Sequence, residues 1–123
     1  MDKIGIMETI KSLSTKKISD MANNDFLLTW DKSMDEVKAV FDVAEILRAM
    51  RANNISPKVF DSGLGVSVFR DNSTRTRFSF ASACNLLGLE VSDLDEEKSQ
   101  IAHGETVRET ANMISFMADV IGI

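Results

Sequence analysis

Apolar residues recur along this chain with two different periods, and the switches between them set out its elements. Val37, Val40, Phe41, Ala44, Leu47 and Met50 fall at helical spacing, leaving Lys38, Asp42, Glu45 and Arg48 for the outer side. Ser33 with Glu36 three residues on forms a capping box, which opens that helix. Asn53-Asn54 ahead of Ser56-Pro57 closes it. Before it the pattern is weak. Ile6, Ile10 and Leu13 fit one face of a short helix, whereas Lys16-Lys17 and residues 19–24 read as a loop or arm. The apolar run 25–30 reads as an extended lead-in.

Beyond Pro57 the period alternates. Lys58-Val59-Phe60 and residues 65–69 are strand material, separated by the glycine-rich segment 62–65. A helix is predicted from Ser73 to Leu87, with Phe80, Ala83, Cys84 and Leu87 inward and Gly88 as its left-handed stop. Residues 89–94 alternate as a strand, and a polar, acidic loop follows over 95–104. Thr106 and Glu109 make a second capping box, opening a helix whose inner face is Val107, Ala111, Ile114 and Ala118. Met113 and Met117 on that helix read as core, and 119–123 reads as a third strand.

Strand, helix, strand, helix, strand with short connections implies right-handed crossovers, so the fold class is α/β: a three-layer parallel sheet flanked by helices. Ligands of such sheets sit at the carboxyl ends of the strands. Residues 73–77 and 99–103 each follow such an end and should open on one edge.

Composition narrows the ligand. At 123 residues with 44% hydrophobic and 27% charged content, the chain has the size and balance of one ordinary globular domain. A net charge of −5 gives no basic face for nucleic acid. No apolar run approaches the roughly 20 residues that span a membrane, and Lys3, Glu8 and Lys11 interrupt any signal-peptide pattern. The single cysteine, Cys84, reads as packing, and a reducing cytoplasm is the expected compartment. No Cys/His cluster has metal-ligand spacing, so neither metal nor cofactor is expected.

Against that acidic background one turn stands out. The β-branched run Val66-Ser67-Val68-Phe69 breaks at Asp71-Asn72-Ser73 and continues as a helix opening on Ser73-Thr74-Arg75-Thr76-Arg77. A strand entering a helix this way gathers unpaired N–H groups and the positive end of the helix dipole. Hydroxyls and guanidinium forks are the side chains that hold a phosphate there. The alternative is a capped helix with its arginines in solvent. Lys98, Ser99 and Gln100 have no pattern of their own, and His103, the only histidine, reads as an exposed loop residue.

The segment 69–77 resembles the Ser-Thr-Arg-Thr-Arg signature of the aspartate and ornithine carbamoyltransferase family, and 99–106 resembles that family's second loop and the helix after it. The resemblance covers residues 25–123, with 1–24 left as an N-terminal arm or short helix, and within the family it is similar to the YgeW-type branch, whose acceptor is unassigned. It implies a carbamoyl phosphate-binding domain in which Ser73, Thr74, Arg75 and Thr76 hold the phosphate, with Arg75 and Thr76 as catalytic candidates. It further implies that Gln100 reaches a neighbouring subunit's site in a homotrimer. Arg77 and His103 are further candidates, Arg77 with a more structural or interface role. The acceptor would be an amino acid or related amine bound by a second domain, absent from this chain. On that reading the chain is inactive alone; a phosphate-sensing or interaction module, or a truncated gene product, is the alternative.

Overall fold

The computed structural model describes residues 1–14, 21–69, 73–94, 104 and 106–123, and the chain divides into two compact units, Met1–Pro57 and Lys58–Ile123. Among the described residues no helix is long and apolar enough to cross a membrane.

Among the described residues the first unit is a helix pair, α1 (Lys3–Ser14) and α2 (Met34–Ala52), with a 3₁₀ turn at Thr29–Asp31 between them. That turn replaces part of the expected extended lead-in; Leu28 before it is extended. The capping box at α2 forms as its spacing predicts. The Glu36 N–H donates to Ser33 Oγ at 3.2 Å, and the Ser33 N–H donates to Glu36 Oε2 at 2.7 Å.

The predicted stripe of α2 is covered only in part: Val37, Leu47 and Met50 are half-buried. Ile6 of α1 packs on Ile46 and Ala49, with Leu13, Met50 and Ile55 around them, and Ala39 is also buried. Val40 and Phe41 are exposed, as is Ala44. α2 carries apolar residues on two faces, so periodicity alone does not say which one meets α1. In α1, Ile6 and Leu13 turn inward while Ile10 is exposed.

The second unit is a parallel sheet of three strands, β1 (Leu64–Ser67), β2 (Glu90–Asp93) and β3 (Val120–Gly122), in the order β2-β1-β3. Helices α3 (Thr74–Leu87) and α4 (Val107–Met117) make the two crossovers. β1 is central. Register sets Ser67 opposite Asp93 on one side and opposite Gly122 on the other, all at the carboxyl ends. The Asp119 carboxylate accepts the Leu64 N–H at 2.8 Å and fastens the start of β3 beside β1.

Glycines let α3 lie close on the sheet. A Cβ at Gly65 would stand 2.7 Å from Cys84 Sγ, and one at Gly122 would stand 2.6 Å from the Phe80 ring. The helix ends in a Schellman motif: Gly88 at φ 103° donates to Asn85 O, and Leu89 donates to Cys84 O. Residues 58–60 are not a strand. The N–H groups of Val59 and Phe60 both donate to the carbonyl of Leu87, at 3.1 and 3.0 Å. The unspent carbonyls at a helix C-terminus compete with the sheet for these donors and win them. Ala83, expected inside, is exposed.

α4 opens on its predicted box, the Glu109 N–H donating to Thr106 Oγ1 at 3.2 Å and the Thr106 N–H to Glu109 Oε2 at 2.8 Å. Its inner face meets expectation in part, the predicted Ala118 being half-buried. Thr110 is buried and Ile114 half-buried, whereas Val107, Ala111, Met113 and Met117 are exposed. As in α2, apolar residues surround too much of the helix for spacing to choose a face. Thr106→Ala should lower the stability of the second unit by about 1 kcal/mol, read from thermal unfolding, because it strips an N-cap.

Candidate functional site

α3 follows β1 in the chain, and Arg77 near its start reaches Asp93 at the end of β2, so its N-terminus stands at the carboxyl edge of the sheet. Its first-turn amides, those of Thr74, Arg75 and Thr76, have no acceptor within the helix; among the described residues the first backbone bond is Arg77 N–H to Ser73 O at 3.1 Å. At α2 and α4 a hydroxyl accepts from the third amide and a glutamate reaches back. At α3 the N-cap Ser73 makes no such bond. Its Oγ lies 2.7 Å from Thr76 Oγ1, so the two hydroxyls bond each other. Among the described residues no side chain accepts from these amides, which lie next to two hydroxyls and the positive end of the helix dipole. Ser73 is half-buried, and Thr74, Arg75 and Thr76 are exposed.

The two arginines of the turn have separate surroundings. Residues two apart on a helix lie on nearly opposite sides. Arg77 turns toward the sheet, donating from one terminal nitrogen to the Asp93 carboxylate and from the other to the Phe69 carbonyl. Asp93 in turn accepts from Ser67 Oγ at 2.5 Å. Arg75 has no hydrogen bond or ion pair among the described residues.

Sequence reasoning missed Asp93 and Ser67. The available signal was one polar residue at the carboxyl end of each of two adjacent strands. Gln100, His103 and the loop 99–103 lie outside the described residues.

Among the described residues three titratable groups depart from ordinary behaviour. Burial raises the Cys84 thiol's pKa, so it ionises reluctantly and behaves as packing. Glu36 and Glu109 are held below the ordinary 4.5, first by the backbone N–H of Ser33 and Thr106 respectively and then by those residues' hydroxyls. A depressed carboxylate contributes stability that is complete above its unfolded value and is lost as pH falls through the folded one. Helicity followed by circular dichroism should thus decline on acidification below 4.5, and a Glu36→Gln, Glu109→Gln double variant should show a shallower decline.

Fold and turn together define a class: an open parallel α/β domain that presents a helix N-terminus at the carboxyl edge of its sheet. The sequence profile of the aspartate/ornithine carbamoyltransferase carbamoyl-P binding domain matches residues 24–123, and the chain belongs to that family. It is 68% identical over 118 residues to the protein named "Putative carbamoyltransferase YgeW" of Escherichia coli (strain K12), covering 96% of this chain and 30% of that one. It is 37% identical over 107 residues to ornithine carbamoyltransferase of Prochlorococcus marinus (strain MIT 9312), covering 87% of this chain and 33% of the other. Among solved structures, the catalytic subunit of M. jannaschii aspartate transcarbamoylase superposes with a TM-score of 0.69 at 31% identity, over 78% of this chain and 32% of that one. The chain thus spans about 30% of the length of the curated relatives it matches.

Proposed function

We propose that the turn 73–76 binds carbamoyl phosphate and that the whole protein transfers its carbamoyl group to the amine of an amino acid or related acceptor. The observation that carries this reading is the N-terminus of α3, whose amides Ser73 does not cap and whose Arg75 has no partner among the described residues, in a family match that spans it. The amides of Thr74, Arg75 and Thr76 and the hydroxyls of Ser73 and Thr76 would take the phosphate oxygens, and the Arg75 fork would pair with its charge. Thr76 would also reach the carbamoyl oxygen.

The reaction is attack of the acceptor nitrogen on the carbamoyl carbon, with the C–O bond to phosphate breaking and phosphate leaving, the proton shed by the nitrogen passing to the departing phosphate. This chain's residues would contribute position and charge stabilisation rather than a covalent intermediate. Arg75 and Thr76 balance the negative charge that grows on phosphate and on the carbonyl oxygen.

Residues 25–123 are the carbamoyl phosphate-binding domain on this reading, 1–24 an N-terminal extension, and the acceptor site belongs to a further domain. Gln100 would complete a neighbour's site in a cytoplasmic homotrimer, with His103 on the same loop. The names of relatives support the acceptor class, since ornithine and aspartate are both amino acids.

Isothermal titration of the chain with carbamoyl phosphate and with inorganic phosphate tests the reading. Saturable heat with both ligands, lost on a Ser73→Ala, Thr76→Val double substitution, is the expected result. No heat with either would sink the assignment.

A further inference from the structure

We propose that Asp93 is a positioning residue for the anion-binding turn, acting through Arg77; the inference rests on the function proposed for residues 73–76. Asp93, Ser67 and Gly122 stand side by side across β2, β1 and β3 at the carboxyl edge. They face α3: Phe80 lies over Gly122, and Arg77 reaches Asp93. Ser67 is 2% exposed, and its hydroxyl donates to one carboxylate oxygen of Asp93. The other oxygen is thereby aimed at the guanidinium.

The Arg77 fork then joins three parts of the unit. One terminal nitrogen meets Asp93 at the end of β2, and the other meets the Phe69 carbonyl, two residues past the end of β1. Arg77 itself sits in the first turn of α3. Phe69, which precedes the turn in the chain, and the start of α3 are thus joined through one guanidinium, which Asp93 anchors. Fixing Arg77 inward also fixes the rotation of α3 about its axis, which turns Arg75 outward because the two lie on nearly opposite sides. The negative charge of Asp93 is spent on Arg77, so it does not oppose an arriving anion.

The geometry of a first turn matters to an anion site because its donors act together, and a misplacement of about 1 Å can cost roughly a hundredfold. Loss of Asp93 leaves the fork with the Phe69 contact alone, a partial release. Carbamoyl phosphate affinity should fall roughly tenfold in Asp93→Ala and less in Asp93→Asn, which keeps an acceptor for Ser67. Titrations of the wild type, Asp93→Ala, Asp93→Asn, Arg77→Ala and the Arg77→Ala, Asp93→Ala double variant test this, each run well below its thermal midpoint. If Asp93 acts through Arg77, it should change nothing further once Arg77 is gone, so the cycle is non-additive. Backbone amide resonances of Thr74, Arg75 and Thr76 in ligand-free Asp93→Asn should shift as well, a readout that survives if Asp93→Ala fails to fold.

Affinity within about twofold of wild type in Asp93→Ala, simple addition of the two single losses, or unmoved amide resonances would each overturn the proposal. A wild type that binds neither carbamoyl phosphate nor phosphate would instead remove the functional reading beneath it, and Arg75→Ala separates the cases. A loss in Arg75→Ala with none in Asp93→Ala leaves the site standing and removes only the role of Asp93.

Discussion

Arg75→Ala should weaken carbamoyl phosphate binding by about 2–4 kcal/mol, roughly thirtyfold to several-hundredfold, with little effect on folding. The size follows from the bond type: a guanidinium fork on a phosphate makes two charge-assisted hydrogen bonds, and alanine replaces neither. The small folding cost follows from its position. Arg75 is exposed, and among the described residues it holds no ion pair that the fold depends on. Arg75→Lys should recover only part of the loss, since a point charge keeps the attraction without the paired geometry. Titration with carbamoyl phosphate, alongside thermal unfolding without ligand, separates the two effects. Equal affinity in Arg75→Ala would place the anion elsewhere.

Gly88→Ala should be the most damaging small substitution in the second unit, costing about 3 kcal/mol or more. Two effects add. The residue sits at φ 103°, where any side chain is strained, and a Cβ there would stand 2.0 Å from the Phe60 carbonyl oxygen. That neighbour is backbone, held by the Phe60 N–H bond to Leu87, so it cannot swing aside as a side chain would. The melting midpoint of this unit should drop by about 9–15 °C, at roughly 3–5 °C per kcal/mol for a chain of this size. An unchanged midpoint would mean that the end of α3 rearranges at no cost.

The difference between Arg75 and Arg77 shows where linear reasoning stops. In the sequence they are two arginines in one phosphate-like turn, equivalent in type and separated by a single threonine. In the fold Arg77 meets Asp93 and Phe69 on the sheet side, while Arg75 is exposed. Their nearly opposite directions follow from helical geometry once the helix is placed. The partner does not. Asp93 lies 16 residues away, and only the parallel register of β1 with β2 sets it beside Ser67 and within reach of α3.

Local chemistry determined much of the rest from the sequence alone. The capping boxes at Ser33 and Thr106, the glycine stop at Gly88 and the alternation of strand and helix each depend on residues within a few positions of one another, and they form as expected. The signature at 73–77 identified the family for the same reason. Tertiary structure decided what depends on a partner distant in sequence. It chose which apolar stripe of α2 and α4 is covered, because both helices offer more than one. It drew residues 58–60 to the end of α3 instead of into the sheet, because Leu87 offers an unspent carbonyl. It also separated the two arginines of the turn, since a guanidinium goes where a carboxylate is held for it, and that carboxylate belongs to another strand.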